Sequence, residues 1–247
     1  MGAVRASAVP GLPEIAAGDD LAALILAAGV RPAAGEIVVV AHKAVSKAEG
    51  RVRALGSIVA TARARELAAG RDPRQVQAVL DESVELVRHG PAALIARTRH
   101  GFVTANAGVD ASNAPDGETL VLLPLDPDRS ARALRARLRG LTGASPAVLI
   151  TDSFGRAWRH GQVDVAIGCA GLAPLVDWRG RADARGRLLA ATWIALADQV
   201  AAAADLARGK DSREPVVILS GLAEHVTEDD GPGAAALVRP LAEDLFR

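Results

Sequence analysis

The sequence predicts a mixed α/β (α+β) protein in which helices pack against a mixed β-sheet. Short runs rich in Val, Ile and Leu, such as residues 36–40 and 146–150, are bounded by polar or turn residues and predict buried strands. Longer segments place apolar residues at helical spacing. Because strands and helices do not alternate strictly along the chain, a mixed sheet is favoured over a regular doubly wound sheet.

The first half of the chain predicts helices over 19–28, 58–69 and 73–87. Asp19 is the predicted N-cap of the first helix, and Pro73 suits the first turn of the third helix, directly after Asp72. Predicted strands cover 36–40, 94–99 and 101–105, and the last two are expected to form a hairpin. A turn is predicted over 114–117, where the sequence is Ala-Pro-Asp-Gly.

The second half predicts strands over 120–123, 146–151, 163–168 and 216–219. Its predicted helices cover 130–141, 187–207 and 233–246. The segment 187–207 is rich in Ala and apolar on most of its faces, so we expect a helix that packs on several sides.

Composition limits the class of protein. The 247 residues are within reach of one large domain, and we expect a single domain over 1–247, alone or as the N-terminal part of a longer polypeptide. Lys+Arg and Asp+Glu both number 29, which argues against a general nucleic-acid binder. The single Cys169 excludes an intramolecular disulfide and a cysteine-based zinc site. Neither a secretory signal nor a membrane span is visible, so the expected location is the cytoplasm.

Two short strings end an apolar run in a carboxylate that is flanked by small polar residues. They are N-A-G-V-D-A-S-N at 106–113, with Asp110, and I-T-D-S-F-G-R at 150–156, with Asp152. An Asp at the carboxyl end of a buried strand points into the crevice where α/β proteins usually bind ligands. Two such carboxylates, brought together, suit Mg²⁺ or Mn²⁺. Taken alone, Asp110 fits a turn carboxylate better than a metal ligand, and Ser153 fits a helix N-cap equally well.

Positive charge comes from a third string, H-K-A-V-S-K-A-E-G-R at 42–51. Carboxylates for a metal and lysines for phosphate together predict nucleotide-dependent chemistry. The chain has no glycine-rich Walker loop, so the phosphates must be held in another way. No catalytic nucleophile, acid or base can be assigned from the residues.

Six segments in this order resemble the coenzyme F420:L-glutamate ligase (gamma-glutamyl ligase) family. They are G-L-P-E-I (11–15), H-K-A-V-S-K-A-E-G-R (42–51), H-G-F-V-T-A-N-A-G-V-D-A-S-N (100–113), L-P-L-D-P-D (123–128), T-D-S-F-G-R-A-W-R-H-G (151–161) and V-A-I-G-C-A-G (165–171). The resemblance implies a GTP-dependent ligase that joins L-glutamate to a deazaflavin coenzyme F420 precursor and extends a gamma-linked tail. It further implies one or two divalent metals (Mg²⁺ or Mn²⁺), K⁺ as a further cation, and an unusual ligase fold that forms an intertwined homodimer.

Site residues follow from the resemblance, position by position. The implied metal ligands are Asp110, Asp152 and Ser153. The implied nucleotide-binding residues are Leu12, Pro13, Glu14, Ile15, His42, Lys43, Lys47, Asn113 and Lys210. A lone histidine such as His42 is more often structural, and an Asn like Asn113 also suits an Asx-turn or a helix cap. A metal-dependent nucleotide hydrolase or kinase, and a nucleotide-binding module without activity, remain as alternatives.

Lys210 departs from the family pattern, because some relatives have an acidic or amide metal ligand there. A protonated lysine cannot coordinate a metal. Either Asp211 or Glu214 replaces that ligand, or Lys210 binds phosphate, and the presence of a second metal depends on which alternative holds. We favour the phosphate role, because a cation beside a metal is tolerable when phosphate lies between the two charges.

Overall fold

The computed structural model describes residues 3–90, 93–111 and 118–245. The strands are β1 (Arg5–Ala8), β2 (Ile37–Ala41), β3 (Val52–Ala54), β4 (Ser83–His89), β5 (Leu94–Thr98), β6 (Val103–Ala105), β7 (Thr119–Val121), β8 (Ala147–Arg156), β9 (Arg159–Ala170), β10 (Val176–Asp177), β11 (Trp193–Ile194) and β12 (Val216–Ser220). The helices are α1 (Leu21–Ala27), α2 (His42–Ala48), α3 (Ala62–Leu67), α4 (Pro73–Glu82), α5 (Pro127–Thr142) and α6 (Leu196–Asp205).

The largest sheet has the strand order β1-β12-β2-β8-β9. Strands β2 and β8 run parallel, while the other neighbouring pairs in this sheet are antiparallel. The sheet is therefore mixed, which confirms the predicted fold class. Smaller sheets pair β4-β5-β6, β3-β7 and β10-β11, and the β5-β6 pair confirms the predicted hairpin. The homodimer, the ligase-specific features of the fold and the single-domain organisation stay predictions.

Helices cover both faces of the main sheet. On one face Val38, Val40 and Ile150 pack with residues of α1 and α5, such as Ile25 and Leu138. On the other face the alternate strand residues, including Ile37, Val39 and Leu149, pack with residues of α6. This alternation explains why β2 is continuously apolar, since both of its faces are buried. No helix in the described parts of the chain is long and apolar enough to cross a membrane.

The ends of several predicted helices were wrong. Helix α1 begins at Leu21 with Asp20 as its N-cap, whose side chain accepts a hydrogen bond from Ala23 N at 3.1 Å. Asp19 instead accepts a hydrogen bond from Ala16 N, so it closes the preceding turn. The segment predicted as a helix over 58–69 is helical only as α3, which starts after its N-cap Thr61.

The helix predicted over 73–87 ends at Glu82, and the chain continues as β4. Residues 83–89 satisfy their backbone groups by pairing with β5, so tertiary pairing replaces helical hydrogen bonds there.

The long helix predicted over 187–207 was also wrong in its first half. Helix α6 covers only Leu196–Asp205, and residues before it pair as β11 with β10. The helix predicted over 233–246 is replaced, in its described part, by 3₁₀ turns at Ala234–Leu237 and Leu241–Glu243. Pro240 lies between the two turns and has no backbone N–H for a helix to use.

Candidate active site

The site lies where the parallel pairing between β2 and β8 ends, with Ala41 opposite Thr151. The next residue of each strand is polar: His42 begins α2, and Asp152 continues β8. His42 Nε2 lies 3.3 Å from Asp152 Oδ1. This nitrogen is buried and its contact with Asp152 lacks hydrogen-bond geometry, so it has no hydrogen-bond partner in the described part of the chain. On the other side of the ring, Nδ1 lies 3.4 Å from Ser46 Oγ.

Three basic side chains of helix α2 face three acidic side chains, each from a different segment of the chain. His42 faces Asp152, as described above. The ammonium group of Lys43 lies 2.7 Å from Asp110 Oδ2. Lys47, one helical turn further on, forms an ion pair with Glu14. The two carboxylates that the sequence assigns to a metal, Asp110 and Asp152, therefore contact side chains of one short helix.

The backbone of Asp110 is held by an isolated antiparallel bridge to Val121 at the end of β7. Asp110 N donates to Val121 O at 3.0 Å, and Val121 N donates to Asp110 O at 2.8 Å. A 3₁₀ turn at Asn106–Gly108 leads into the bridge. Gly108 has φ +70°, and a Cβ there would lie 2.7 Å from Leu123 Cδ1. A glycine is required at this position for both reasons, so the small residues of the string serve to place Asp110.

On the opposite face of β8, a second polar cluster surrounds Asp164, which the sequence analysis left without a role. Asp164 lies on β9 directly opposite Ser153 and is only 2% exposed. Ser153 Oγ donates to its Oδ1 at 2.6 Å, and Thr151 Oγ1 donates to its Oδ2 at 2.9 Å. Arg208 also donates to Oδ2, and to Thr151 Oγ1 at 2.8 Å.

Lys210 joins this second cluster from the loop after α6. Its ammonium group donates a hydrogen bond to Ser153 Oγ. It lies 3.5 Å from Asp205 Oδ1 and 3.7 Å from Asp164 Oδ1. The lysine is two-thirds exposed, so its charge borders both the buried cluster and solvent. Lys210 therefore lies beside Ser153.

In this cluster the negative charges of Asp164 and Asp205 are balanced by the positive charges of Arg208 and Lys210. Burial raises the pKa of the Asp164 carboxyl, but the hydrogen bond from Ser153 and the charge of Arg208 outweigh that effect, and the pKa lies below its ordinary value. Asp164 is therefore an ionised, paired carboxylate. By contrast, burial raises the pKa of the Cys169 thiol to about 12, and Cys169 is a core packing residue, as its apolar surroundings in the sequence indicated.

The structure brings most of the predicted site residues to these two clusters. Glu14, His42, Lys43, Lys47, Asp110 and Asp152 gather around α2, and Ser153 and Lys210 lie across β8. Ile15 is buried in the core and Leu12 packs against it, while Pro13 is exposed. Asn113 and the predicted turn at 114–117 lie outside the described residues.

Sequence reasoning missed the roles of Asp164, Arg208 and Thr151. One signal was available for Asp164, a lone carboxylate within the apolar run 163–170. Such a residue in a buried strand requires a partner, because an unpaired buried charge is costly. The sequence does not reveal the partner, since Arg208 lies 44 positions away.

The donor set suits a hard divalent cation. Asp110 and Asp152 offer carboxylate oxygens and Ser153 a hydroxyl oxygen, which are the ligand types that Mg²⁺ and Mn²⁺ prefer. Within residues 3–90, 93–111 and 118–245, no three His, Cys, Asp or Glu side chains gather into a metal cage. In their oxygen chemistry, Asp110, Asp152 and Ser153 fit a metal of the Mg²⁺ type, which keeps waters and takes ligand oxygens from substrate phosphates.

The same segments match a family of known proteins. The model of the F420-0:gamma-glutamyl ligase family matches residues 11–221, which include every site residue named above. The chain belongs to this family. Membership confirms the prediction of a ligase that forms carbon–nitrogen bonds.

Individual relatives are similar over most of their length. The coenzyme F420:L-glutamate ligase of Methanopyrus kandleri is 46% identical, over 99% of this chain and 98% of the relative. That of Methanothermobacter thermautotrophicus is 44% identical, over 97% of each chain. That of Archaeoglobus fulgidus is 46% identical, over 87% of this chain and 86% of the relative.

Proposed function

We propose that this enzyme is a GTP-dependent ligase that joins L-glutamate to the terminal carboxylate of the deazaflavin coenzyme F420 precursor, and then adds further gamma-linked glutamates. Family membership supports the acceptor, the amino acid and the amide product. The nucleotide-dependent part depends above all on one observation, the three basic side chains of α2 that face carboxylates from three other segments. Such an arrangement suits a triphosphate with a bound metal.

Activation is needed because a carboxylate and an amine do not condense readily at neutral pH. In the proposed reaction, a carboxylate oxygen of the precursor attacks the γ-phosphorus of GTP. The bond from that phosphorus to the β–γ bridging oxygen breaks, and GDP leaves. The amino nitrogen of L-glutamate then attacks the acyl carbon of the acyl phosphate. Inorganic phosphate leaves with the electrons of the C–O bond, the nitrogen loses a proton, and an amide remains.

Lys43 and Lys47 bind the phosphates in this proposal. Both are paired with carboxylates in the structure, so binding exchanges one anionic partner for another. Lys43 is released when Asp110 takes up a cation instead, because the two compete for the same carboxylate. Glu14 is mostly exposed, and its loss of Lys47 is therefore compensated by water. His42, the backbone of 12–15 and Asn113 complete the proposed nucleotide site.

Asp110, Asp152 and Ser153 would hold the divalent metal, and Lys210 would contact phosphate. When bound, Mg²⁺ or Mn²⁺ neutralises charge that builds on the phosphoryl oxygens during transfer. Lys210 already lies next to Ser153, so its ammonium group is within reach of a phosphate that binds beside this residue. A second metal, K⁺ as a further cation, an intertwined homodimer and a cytoplasmic location complete the proposal on the strength of the resemblance.

The test is incubation of the enzyme with GTP, Mn²⁺, L-glutamate and the deazaflavin precursor, followed by mass spectrometry. We expect a product heavier by one glutamyl unit, and GDP and phosphate release that depends on both L-glutamate and precursor. The Asp110→Asn variant is the matched control and should give no product. Phosphate release without glutamate and without an amide product would instead identify a nucleotide hydrolase. Phosphate transfer to the precursor that stops there would identify a kinase.

A further inference from the structure

Asp164 is a buried carboxylate next to a proposed metal ligand, and it is not among the site residues that the family resemblance implies. It lies on β9 opposite Ser153 and is 2% exposed. Two cations, Arg208 and Lys210, face it, together with the hydroxyls of Thr151 and Ser153. Groups of this kind stabilise an ionised carboxylate, which can only accept hydrogen bonds.

Because the carboxylate can only accept, the hydroxyl groups of Ser153 and Thr151 must each donate their proton to it. Ser153 has one proton, and at 2.6 Å from Asp164 Oδ1 it must donate that proton to the carboxylate. Its oxygen is then left with two lone pairs. One lone pair accepts a hydrogen bond from the ammonium group of Lys210. A cation can bind at the other lone pair without displacing this donor. Asp164 therefore turns the Ser153 oxygen into an acceptor that faces positive charge.

The carboxylate itself is fixed in orientation. Its second oxygen, Oδ2, accepts hydrogen bonds from Thr151 and from Arg208, while Oδ1 accepts the hydrogen bond of Ser153. Arg208 is in turn held by Pro215 O at 3.1 Å. Because each oxygen has its own partners, rotation of the carboxylate would break several hydrogen bonds at once.

We propose that Asp164 is a positioning residue, which accepts the hydrogen bond of the Ser153 hydroxyl and thereby makes Ser153 Oγ a ligand for the divalent cation. This inference rests on the proposed metal role of Ser153. Arg208, through its charged hydrogen bond to Oδ2, holds Asp164 in the orientation that this task requires. Asp164 itself lies too deep to touch substrate.

The decisive variant is Asp164→Asn. Arg208 has only donors, so it draws the oxygen of the introduced amide toward itself and leaves the amide NH₂ group facing Ser153. Ser153 Oγ must then accept that hydrogen bond and loses the lone pair that a metal needs. Outer partners of metal ligands typically contribute about 10- to 100-fold in affinity, and we expect a loss of Mn²⁺ affinity in that range. Electron paramagnetic resonance of free Mn²⁺ measures it directly, with protein alone and with protein plus GDP.

Thr151→Val is the matched control. It removes the other hydroxyl on the same buried carboxylate but leaves the Ser153 hydrogen bond in place, so its Mn²⁺ affinity should stay near that of wild type. Ser153→Ala should bind Mn²⁺ as weakly as Asp164→Asn. The variant with both changes should bind no more weakly than Ser153→Ala alone, because the two residues act as one unit.

A folded Asp164→Asn protein with wild-type Mn²⁺ affinity overturns the inference, as does an equal loss in Thr151→Val or an additive loss in the double variant. Where Asp164→Asn fails to fold, Asp164→Leu combined with Arg208→Met removes both charges and leaves no buried charge unpaired. The same loss is expected there, and wild-type affinity again overturns the inference. If Ser153→Ala binds Mn²⁺ normally, or wild type binds none, the proposed metal role of Ser153 fails as well.

Discussion

Removal of Lys47 tests the proposed nucleotide site of this enzyme. In the structure the lysine is mostly buried, with 19% of its side chain exposed, and it is paired with Glu14, of which 71% is exposed. A hydrogen bond between charged groups contributes about 1.5–3 kcal/mol. The pair with Glu14 is lost when phosphate binds, but a pair with so exposed a partner contributes only about 0–1 kcal/mol.

The difference predicts that Lys47→Ala weakens GTP binding by about 0.5–3 kcal/mol, or roughly 2- to 150-fold in Kd. Lys47→Arg should not fully restore binding, because a planar fork replaces a compact charge with three donors. Glu14→Gln is the matched control: it removes the competing partner and should tighten GTP binding by less than about fivefold.

Calorimetric titration of GTP into each variant, with the precursor left out, measures these affinities. Unchanged affinity in the alanine variant would mean that Lys47 serves only its ion pair with Glu14, and the phosphate role would be refuted. A loss of affinity in Glu14→Gln as large as that in Lys47→Ala would show that the ion pair, and not the phosphate contact, matters.

Three further predictions concern the site and its surroundings. Asp110→Asn should abolish turnover while leaving the thermal unfolding midpoint nearly unchanged, since its Oδ2 partner Lys43 is partly exposed; normal turnover would remove Asp110 from the metal site. Lys210→Ala should raise the KM for GTP without changing the Mn²⁺ requirement, whereas a raised Mn²⁺ requirement confined to Asp211→Ala or Glu214→Ala would show that a carboxylate replaces the missing ligand. Burial lowers the pKa of His100, so the unfolded chain binds its proton first as pH falls below about 6.5, and stability should drop from there down to the folded pKa. His100→Gln should flatten that part of the curve of unfolding free energy against pH, and an unaltered curve would contradict it.

Local signals in the sequence determined several elements. Asp126 caps α5, Pro127 occupies its first turn, and Gly143 ends it with φ +76°. These three residues act on their own neighbours, so a reader of the sequence can place the helix to within a few residues. The two carboxylate strings were recognisable for the same reason, because each follows its own apolar run.

Tertiary structure decided where local patterns compete with pairing. Residues 83–87 continue the helical pattern of α4, yet they pair with β5, because the strand satisfies their backbone groups and Leu86 packs against the neighbouring core. Residues 187–195 are rich in Ala and Leu, yet Trp193 and Ile194 form β11. A helix propensity of a few tenths of a kcal/mol per residue is too small to resist such pairing.

The same division applies to the site. Its candidate residues were visible in the sequence, since Asp110, Asp152, Lys43 and Lys47 lie in strings that match a known family. Their pairing was not, because Lys47 meets Glu14 across 33 positions and Lys43 meets Asp110 across the fold. Nor was the cluster around Asp164, whose partners come from β8 and from the loop after α6. A sequence determines which charged and polar groups are available and how each short segment folds. Long-range burial decides which charges must share a site, because a buried charge is stable only beside its partner.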